Sequence, residues 1–417
     1  MCSVIRTIRT EKAKLMKGIN QESFVNIKFE MQWKSSRAVH TEIYETQGLN
    51  IWRDCMPETL LKQLVGKSEG ETITTHFEPG VITSGYDPGK TFAVKLSQFN
   101  QHFIPDKTIE PRIGRFYPKG LLKGVTGVFP QNLQPFRCVG IENGVLKVDF
   151  NHPLADKKIQ LNAFLKKTRL KFSERGGVCS DWMEIMADGP GMQSRWKGQP
   201  TDFLSENPFQ REDDGSDLVF YKTPRLVQHL DDRAIEVVTG LYGLFIHDGM
   251  RVLDLMSSWK SHLPTHLKLD SVTGLGMNQE ELANNEQLTN HLIHDLNQSP
   301  QMPFDDNQFD AILCTVSVEY LTQPFEVFAE VARILKPEGY FITTFSNRWF
   351  PPKVINIWPD LHEFERQGMV MEYFLQSGKY HNLQTYSARN FPRPNDDKYI
   401  HETAQSDPVF AVWGQKI

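Results

Sequence analysis

The 417-residue chain has no apolar run near the ~20 residues a membrane-crossing helix needs, so no spanning segment is expected. Its amino-terminal stretch, MCSVIRTIRTEKAKLMKGI, is basic but lacks the apolar core of a secretory signal. The five cysteines, at 2, 55, 138, 179 and 314, form no CxxC pair. That argues against a disulfide scaffold or a zinc finger and makes a reducing cytoplasm the simplest expectation. No internal repeat or low-complexity tract is present. Hydrophobic residues at 39% and charged residues at 23% are ordinary globular usage, which excludes a largely disordered or fibrous chain.

The length suggests two or three domains at ~100–200 residues each, and the charge divides accordingly. Residues 1–175 hold 27 Lys or Arg against 17 Asp or Glu, whereas residues 176–417 hold 19 against 34. Opposite charges of this kind suit two domains that attract each other. The acidic half lacks the clustered cations that a phosphate backbone requires, and the basic half scatters its cations among apolar residues. No nucleic-acid partner and no membrane partner is expected.

Residues 25–170 read as short alternating strands: VNIKFEMQW, RAVHTEIYET, ETITTHFEPG, KTFAVKLSQF, GVTGVFP, FRCVGIENGVLKVDF and IQLNAFLKK. The Asn-Gly within IENGVLKVDF predicts a hairpin. One helix, PETLLKQLVGK (57–67), interrupts them, so this half reads as α+β, an antiparallel sheet packed around a single helix. Residues 171–215, with GG, DGPG, NP and EDDGSD, read as a connector that covers a site.

From 216 to 417 the pattern becomes α/β. TPRLVQHLDDRAIEVVTGLYGLFI predicts one helix entered through Thr223 and Pro224. RVLDLM, SVTGLGM, HLIHDL, FDAILCTVSV and YFITTFS read as buried strands, and FEVFAEVARILK as the helix before the last of them. Alternation at this spacing predicts a parallel sheet, and ligands bind such sheets outside the carboxyl ends of the strands. Polar residues follow each run: Asp254 and Ser257-Ser258-Trp259 the first, Asn278 the second, Asp295 the third, the stretch from Cys314 to Tyr320 the fourth, and Ser346, Asn347 and Arg348 the fifth.

Some of these have plainer readings. Asp254 could cap a helix, Trp259 could pack a core, and Cys314 reads as a buried strand residue. Tyr221, Arg225, His229 and Asp232 recur at helical spacing, either as a solvated face or as a wall that encloses substrate. In the second case His229 is a candidate base.

RVLDLMSSWKSHLP, VTGLGMNQEEL, HDLNQSPQMPFDDNQFDAIL and ARILKPEGYFITTFSNRWF together resemble successive motifs of class I S-adenosylmethionine-dependent methyltransferases, over about 245–350. The resemblance implies a Rossmann-like fold with S-adenosylmethionine as cofactor. It implies Asp254, Ser257, Ser258, Trp259, Asn278, Asp295, Leu296, Thr315 and Val316 on the cofactor side, Asp295 at the adenine amine. His229, Tyr221 and Arg225 would be catalytic, with Asp232, Ser317, Glu319, Tyr320, Asn347 and Arg348 on the substrate side. The family's first loop is Asp/Glu-x-Gly-x-Gly-x-Gly; here residues 254–260 contain no glycine, and the acid expected at the end of the second strand is Gly276.

PETLLKQLVGKSEGETITTHFEPG and VDFNHPLADKKIQLN resemble FKBP-type, SlyD-like peptidyl-prolyl isomerases, over about 35–168. No prolyl-binding aromatic pocket is recognisable at GLNIWRDCMP, which implies a non-catalytic scaffold, dimerisation or cofactor-cover role. The pairing of the two domains resembles bacterial thiol S-methyltransferases. That implies hydrogen sulfide or methanethiol as a small acceptor, with methanethiol or dimethyl sulfide as product. The alternative is a chaperone-like binding protein with a protein-directed or inactive methyltransferase half. Exposed strand edges lead to the expectation of a homodimer.

Overall fold

The computed structural model describes residues 18–105, 107–170, 177–204 and 207–417; Cys2 and most of the basic amino-terminal stretch lie outside the described residues. The first half runs β1 (Ser23–Lys34), β2 (Val39–Glu45), β3 (Leu49–Asn50), α1 (Glu58–Leu64), β4 (Thr72–Phe77), β5 (Thr91–Lys95), β6 (Phe116–Pro118), β7 (Pro135–Glu142), β8 (Val145–Asp149) and β9 (Ile159–Leu170). β1 alternates strictly, burying Val25, Ile27, Phe29, Met31 and Trp33, because its other face is only partly covered. β5 to β8 form a small separate sheet inserted between β4 and β9. Its central hairpin turns at Asn143 and Gly144, both left-handed (φ 49 and 75), as the Asn-Gly pair predicts. The strand expected over GVTGVFP does not form: Gly124 and Gly127 hold left-handed turns there, and the strand lies earlier, at β6.

The second half runs α2 (Trp182–Ala187), α3 (Asp217–Phe220), α4 (Asp232–Tyr242), β10 (Arg251–Ser257), β11 (Ser271–Gly276), α5 (Gln279–Ala283), β12 (Asn290–Ile293), β13 (Phe309–Thr315), α6 (Pro324–Ile334), β14 (Leu335–Phe345), α7 (Glu363–Ser377), β15 (Tyr380–Arg389) and β16 (Val409–Lys416). β10 to β14 pair in parallel, and β16 is antiparallel to both β14 and β15. The central strands are apolar on both faces, as β10 and β13 show, because helices cover both sides. α4 buries Ala234, Val238, Leu241 and Tyr242 on one stripe, and α6 buries Val327, Phe328, Val331 and Ala332.

The expected boundary between the halves falls inside one continuous sheet. Among the described residues its order is β12-β11-β10-β13-β14-β16-β15-β2-β1-β9-β4, with β3 added on β1. β15 pairs in parallel with β2, Gln384 opposite Val39 through Arg389 opposite Tyr44. β2, whose other neighbour is β1, therefore has both edges paired within the chain. Polar rungs are buried along this seam. His40 meets Thr385 Oγ1 (2.7 Å) and Ser35 Oγ (2.8 Å) and stacks on Trp33 at 3.9 Å. Glu42 accepts from Ser387 Oγ and from Gln193 Nε2 (2.9 Å).

The described residues of the 171–215 segment form a strut, and none of them lines the cavity described below. α2, capped by Asp181, drives Trp182, Met183, Met186 and Ala187 into the amino-terminal core. Arg195 then forms a bidentate pair with Glu372 of α7 (2.7 and 2.6 Å), tying the halves together.

Candidate active site

The order of the second half reverses at β10, which lies between β11 and β13. Such a switch opens a crevice at the carboxyl ends of the strands, and a cavity of about 330 Å³ lies there. Asp254, at the end of β10, is 2% exposed, and its Oδ2 accepts from Ser257 Oγ (2.6 Å) and Ser261 Oγ (2.7 Å). Burial raises its pKa to about 6 against the lowering effect of these two bonds.

The glycine-free loop has a structural explanation. Met256 itself adopts the left-handed backbone (φ 56) that glycine would supply. Gly276, at the end of β11, makes the space, since a Cβ there would come within 2.2 Å of the Ser257 carbonyl oxygen. No acid could occupy that position. Val316, after β13, is also left-handed (φ 47), a strained state for a branched residue that costs ~1–3 kcal/mol and that concentrates at functional sites.

A carboxylate enters from an unexpected place. Glu281 of α5 accepts the Arg225 backbone N–H (2.7 Å) and Ser258 Oγ (2.7 Å), clasping the covering segment to the loop. Asn278 caps α5 through Oδ1 and donates from Nδ2 to the carbonyls of Tyr221 (2.8 Å) and Lys222 (3.0 Å). Trp259 Nε1 donates to Val227 O (3.2 Å). Asp295 lines the cavity while its Oδ1 accepts the N–H groups of Asn297 and Gln298. Thr315 lines it as well, its hydroxyl 2.6 Å from that of Tyr242.

The covering segment is not the predicted helix. Residues 221–231 are irregular and α4 starts only at Asp232, because Asp231 is the stronger cap. Its carboxylate accepts from Ala234 N, Ser406 Oγ and Asp407 N and pairs with Arg393 at 3.3 Å. The helical spacing of Tyr221, Arg225 and His229 is thus accidental, yet all three line the cavity. They gather around Phe350: the His229 ring lies edge-on at 5.1 Å, Tyr221 at 6.5 Å, and Tyr320 stacks at 6.1 Å. The Arg225 guanidinium sits 5.3 Å from the same ring. Partial desolvation, then the Arg225 charge, lowers the His229 pKa, leaving the ring neutral at neutral pH.

Three expected residues stand elsewhere. Asp232 is exposed on the first turn of α4, since the neighbouring Asp231 took the inward place. Asn347 bonds Glu363 and Arg366 outside the cavity lining. Glu319 is fully buried outside the cavity lining, and burial raises its pKa to about 8. Leu296, Ser317, Tyr320 and Arg348 do line the cavity, the last held by Asp407 (3.0 Å). Lys398 and Tyr399 complete the rim.

Residues 260–343 match the sequence model of a family described as a methyltransferase domain. The mitochondrial 2-methoxy-6-polyprenyl-1,4-benzoquinol methylase of Mus musculus is 27% identical over 109 residues, 26% of this chain and 33% of that protein. The ubiquinone/menaquinone biosynthesis C-methyltransferase UbiE of Paraburkholderia phytofirmans is 28% identical over 110 residues, 26% of this chain and 44% of that protein. A solved SAM-dependent methyltransferase from Aquifex aeolicus shares 19% identity, with 45% of this chain and 92% of that chain covered at a TM-score of 0.30. The chain thus spans less than half the length of the curated relatives it matches. Within its carboxy-terminal half the chain carries a methyltransferase domain. S-adenosylmethionine is the cofactor of that domain, and a buried acid, a loop brought close by Gly276 and a strand-end Asp295 fit such a ligand.

Proposed function

We propose that the chain methylates a small acceptor bound beneath residues 217–230, and that the acceptor is a thiol or sulfide: hydrogen sulfide or methanethiol, yielding methanethiol or dimethyl sulfide. The observation that carries a small acceptor is the cavity. At about 330 Å³ it lies at the lower end of ligand sites, roughly 300–1,000 Å³, and it must admit both reactants. The cofactor, when bound, supplies an electrophilic methyl group on a cationic sulfur. Asp254, Ser257, Ser258, Asn278 and Asp295 with Leu296, Thr315 and Val316 form the wall that would hold it.

The protein's remaining task is to align the acceptor and exclude water. Phe350, Tyr221 and Tyr320 provide an apolar wall for the acceptor, and Arg225 among these rings offers a cation to an anionic nucleophile. A cysteine thiol is only a few per cent ionised at pH 7, and an alkanethiol such as methanethiol is a weaker acid still; His229, which lines the cavity, is placed to take that proton, whereas hydrogen sulfide, a stronger acid, needs the base less. Asp232, Glu319 and Asn347 have no part in this arrangement.

An FKBP/SlyD-type reading of the first half is supported by helix α1 and by the small sheet inserted between β4 and β9. We read it as a scaffold for the β2–β15 seam. A second acceptor class, an aromatic quinol carbon, is favoured by the ring-lined wall and by the two relatives, a benzoquinol methylase and a ubiquinone/menaquinone biosynthesis C-methyltransferase. Incubation with S-adenosylmethionine and sulfide, methanethiol or a hydroquinone in turn separates the two. Headspace methanethiol or dimethyl sulfide is expected; methylation of the hydroquinone alone would replace the thiol reading.

A further inference from the structure

Outside the cavity lining, the fold brings together two cysteines separated by 124 residues. The Sγ atoms of Cys55 and Cys179 are 3.5 Å apart, and both residues are exposed. Their backbones are already fixed side by side. Cys55 N–H donates to Ser180 O (2.8 Å), Trp182 N–H donates to Cys55 O (3.3 Å), and Cys55 forms a parallel bridge with Asp181. Two flanking contacts hold the same register: Trp182 Nε1 donates to Asp54 Oδ2 (2.8 Å) and the Cys179 thiol to Arg53 O (3.1 Å). A disulfide needs the sulfurs at ~2.05 Å, a small side-chain movement from this arrangement. Among the described residues no group of three or more His, Cys, Asp or Glu could hold a metal here, so the pair is free for thiol chemistry.

We propose that Cys55 and Cys179 form a thiol–disulfide exchange site that reacts with low-molecular-weight disulfides and, when oxidised, staples the start of the strut to the amino-terminal sheet. One thiolate attacks a sulfur of the small disulfide, forms a mixed disulfide and releases one small thiol. The second cysteine, as thiolate, attacks the protein sulfur of that mixed disulfide and releases the other small thiol. The two cysteines lose two electrons and two protons, and the small disulfide gains both as two thiols. Exposure makes the pair reachable, whereas Cys138 and Cys314 are buried; the hydrogen bond with Cys179 raises the pKa of Cys55, and burial raises those of Cys138 and Cys314, so access and proximity, not acidity, set the pair apart.

The test uses the full chain equilibrated in glutathione buffers of increasing glutathione disulfide fraction, quenched with a maleimide and mapped by mass spectrometry. Labelling of Cys55 and Cys179 should vanish together, the two peptides should be recovered cross-linked, and dithiothreitol should restore both labels. In Cys55→Ser, Cys179 should retain a glutathione adduct that the wild type resolves. The proposal is overturned if the two labels vanish independently, if the cross-link runs to Cys2 or between two chains, or if wild type and variant retain the adduct equally.

Discussion

One sheet contains two seams, and each buries an acid. At the β10–β13 switch, Asp254 is raised to about 6 by burial; at the β2–β15 junction, Glu42 is raised to about 7 by the same cause. Both accept a serine hydroxyl, from Ser257 and Ser387. What separates them is the space around them. Asp254 lines a cavity flanked by left-handed Met256 and Val316, whereas Glu42 lies outside the cavity lining and its further partner is Gln193 of the strut. A perturbed pKa marks desolvation; only concavity and strain beside it mark a binding site.

Removing each acid should break the likeness. Asp254→Ala is expected to have the largest effect, weakening S-adenosylmethionine binding at least ~100-fold by calorimetry, because a buried carboxylate facing a cationic ligand is worth several kcal/mol. Wild-type affinity in that variant would remove Asp254 from the cofactor wall. In the wild type the same group predicts a pH dependence. Below about pH 6 Asp254 is protonated in the free protein, so affinity for a cation should fall as pH drops, by up to ~10-fold per unit. Constant affinity from pH 5 to 8 would mean that the carboxylate does not sense the ligand. Glu42→Gln should leave this profile unchanged.

His229→Ala tests the acceptor side of the same seam. Turnover is expected to fall by ~10²-fold, the usual contribution of a positioned base, while cofactor affinity stays within twofold. An equal loss in both would mean that His229 only props up the covering segment against Phe350.

The legible parts of the molecule were those where local chemistry alone decides. The Asn143-Gly144 hairpin, the strands from RVLDLM to YFITTFS and the strand-end residues Asp254 and Asp295 all follow from period and turn residues, except that β12, expected to be buried, is the edge strand of the sheet and leaves Leu292 and Ile293 exposed. The α4 start was misplaced because Thr223-Pro224 is a good local signal, and the competing cap depends on Arg393 and Asp407, 160 or more residues further on. Glu281 was hidden for a similar reason: nothing in QEELA shows that one of its acids points back at Ser258. Gly276 looked like a missing acid, when the Ser257 carbonyl leaves no room for any side chain. The β2–β15 pairing joins residues about 345 apart, and neither strand's sequence names the other.

The smallest expected effect is at that junction. The pKa of Glu42 is higher in the folded chain, about 7, than the 4.5 of an unburied glutamate. Folding therefore favours its protonated form, and the stability tied to it is full below pH ~4.5 and lost as pH rises through 7. A glutamine keeps one acceptor for Gln193, and its amide can donate to Ser387, whose hydroxyl accepts equally well. Glu42→Gln should match the wild type near pH 5 and exceed it at pH 8.5 by no more than about 3 kcal/mol, since 2.5 pKa units set the upper limit. Urea midpoints of both proteins at the two pH values give the comparison. Parallel profiles would mean that Ser387 and Gln193 already hold the ionised form as well as water does, and that the seam tolerates a charge.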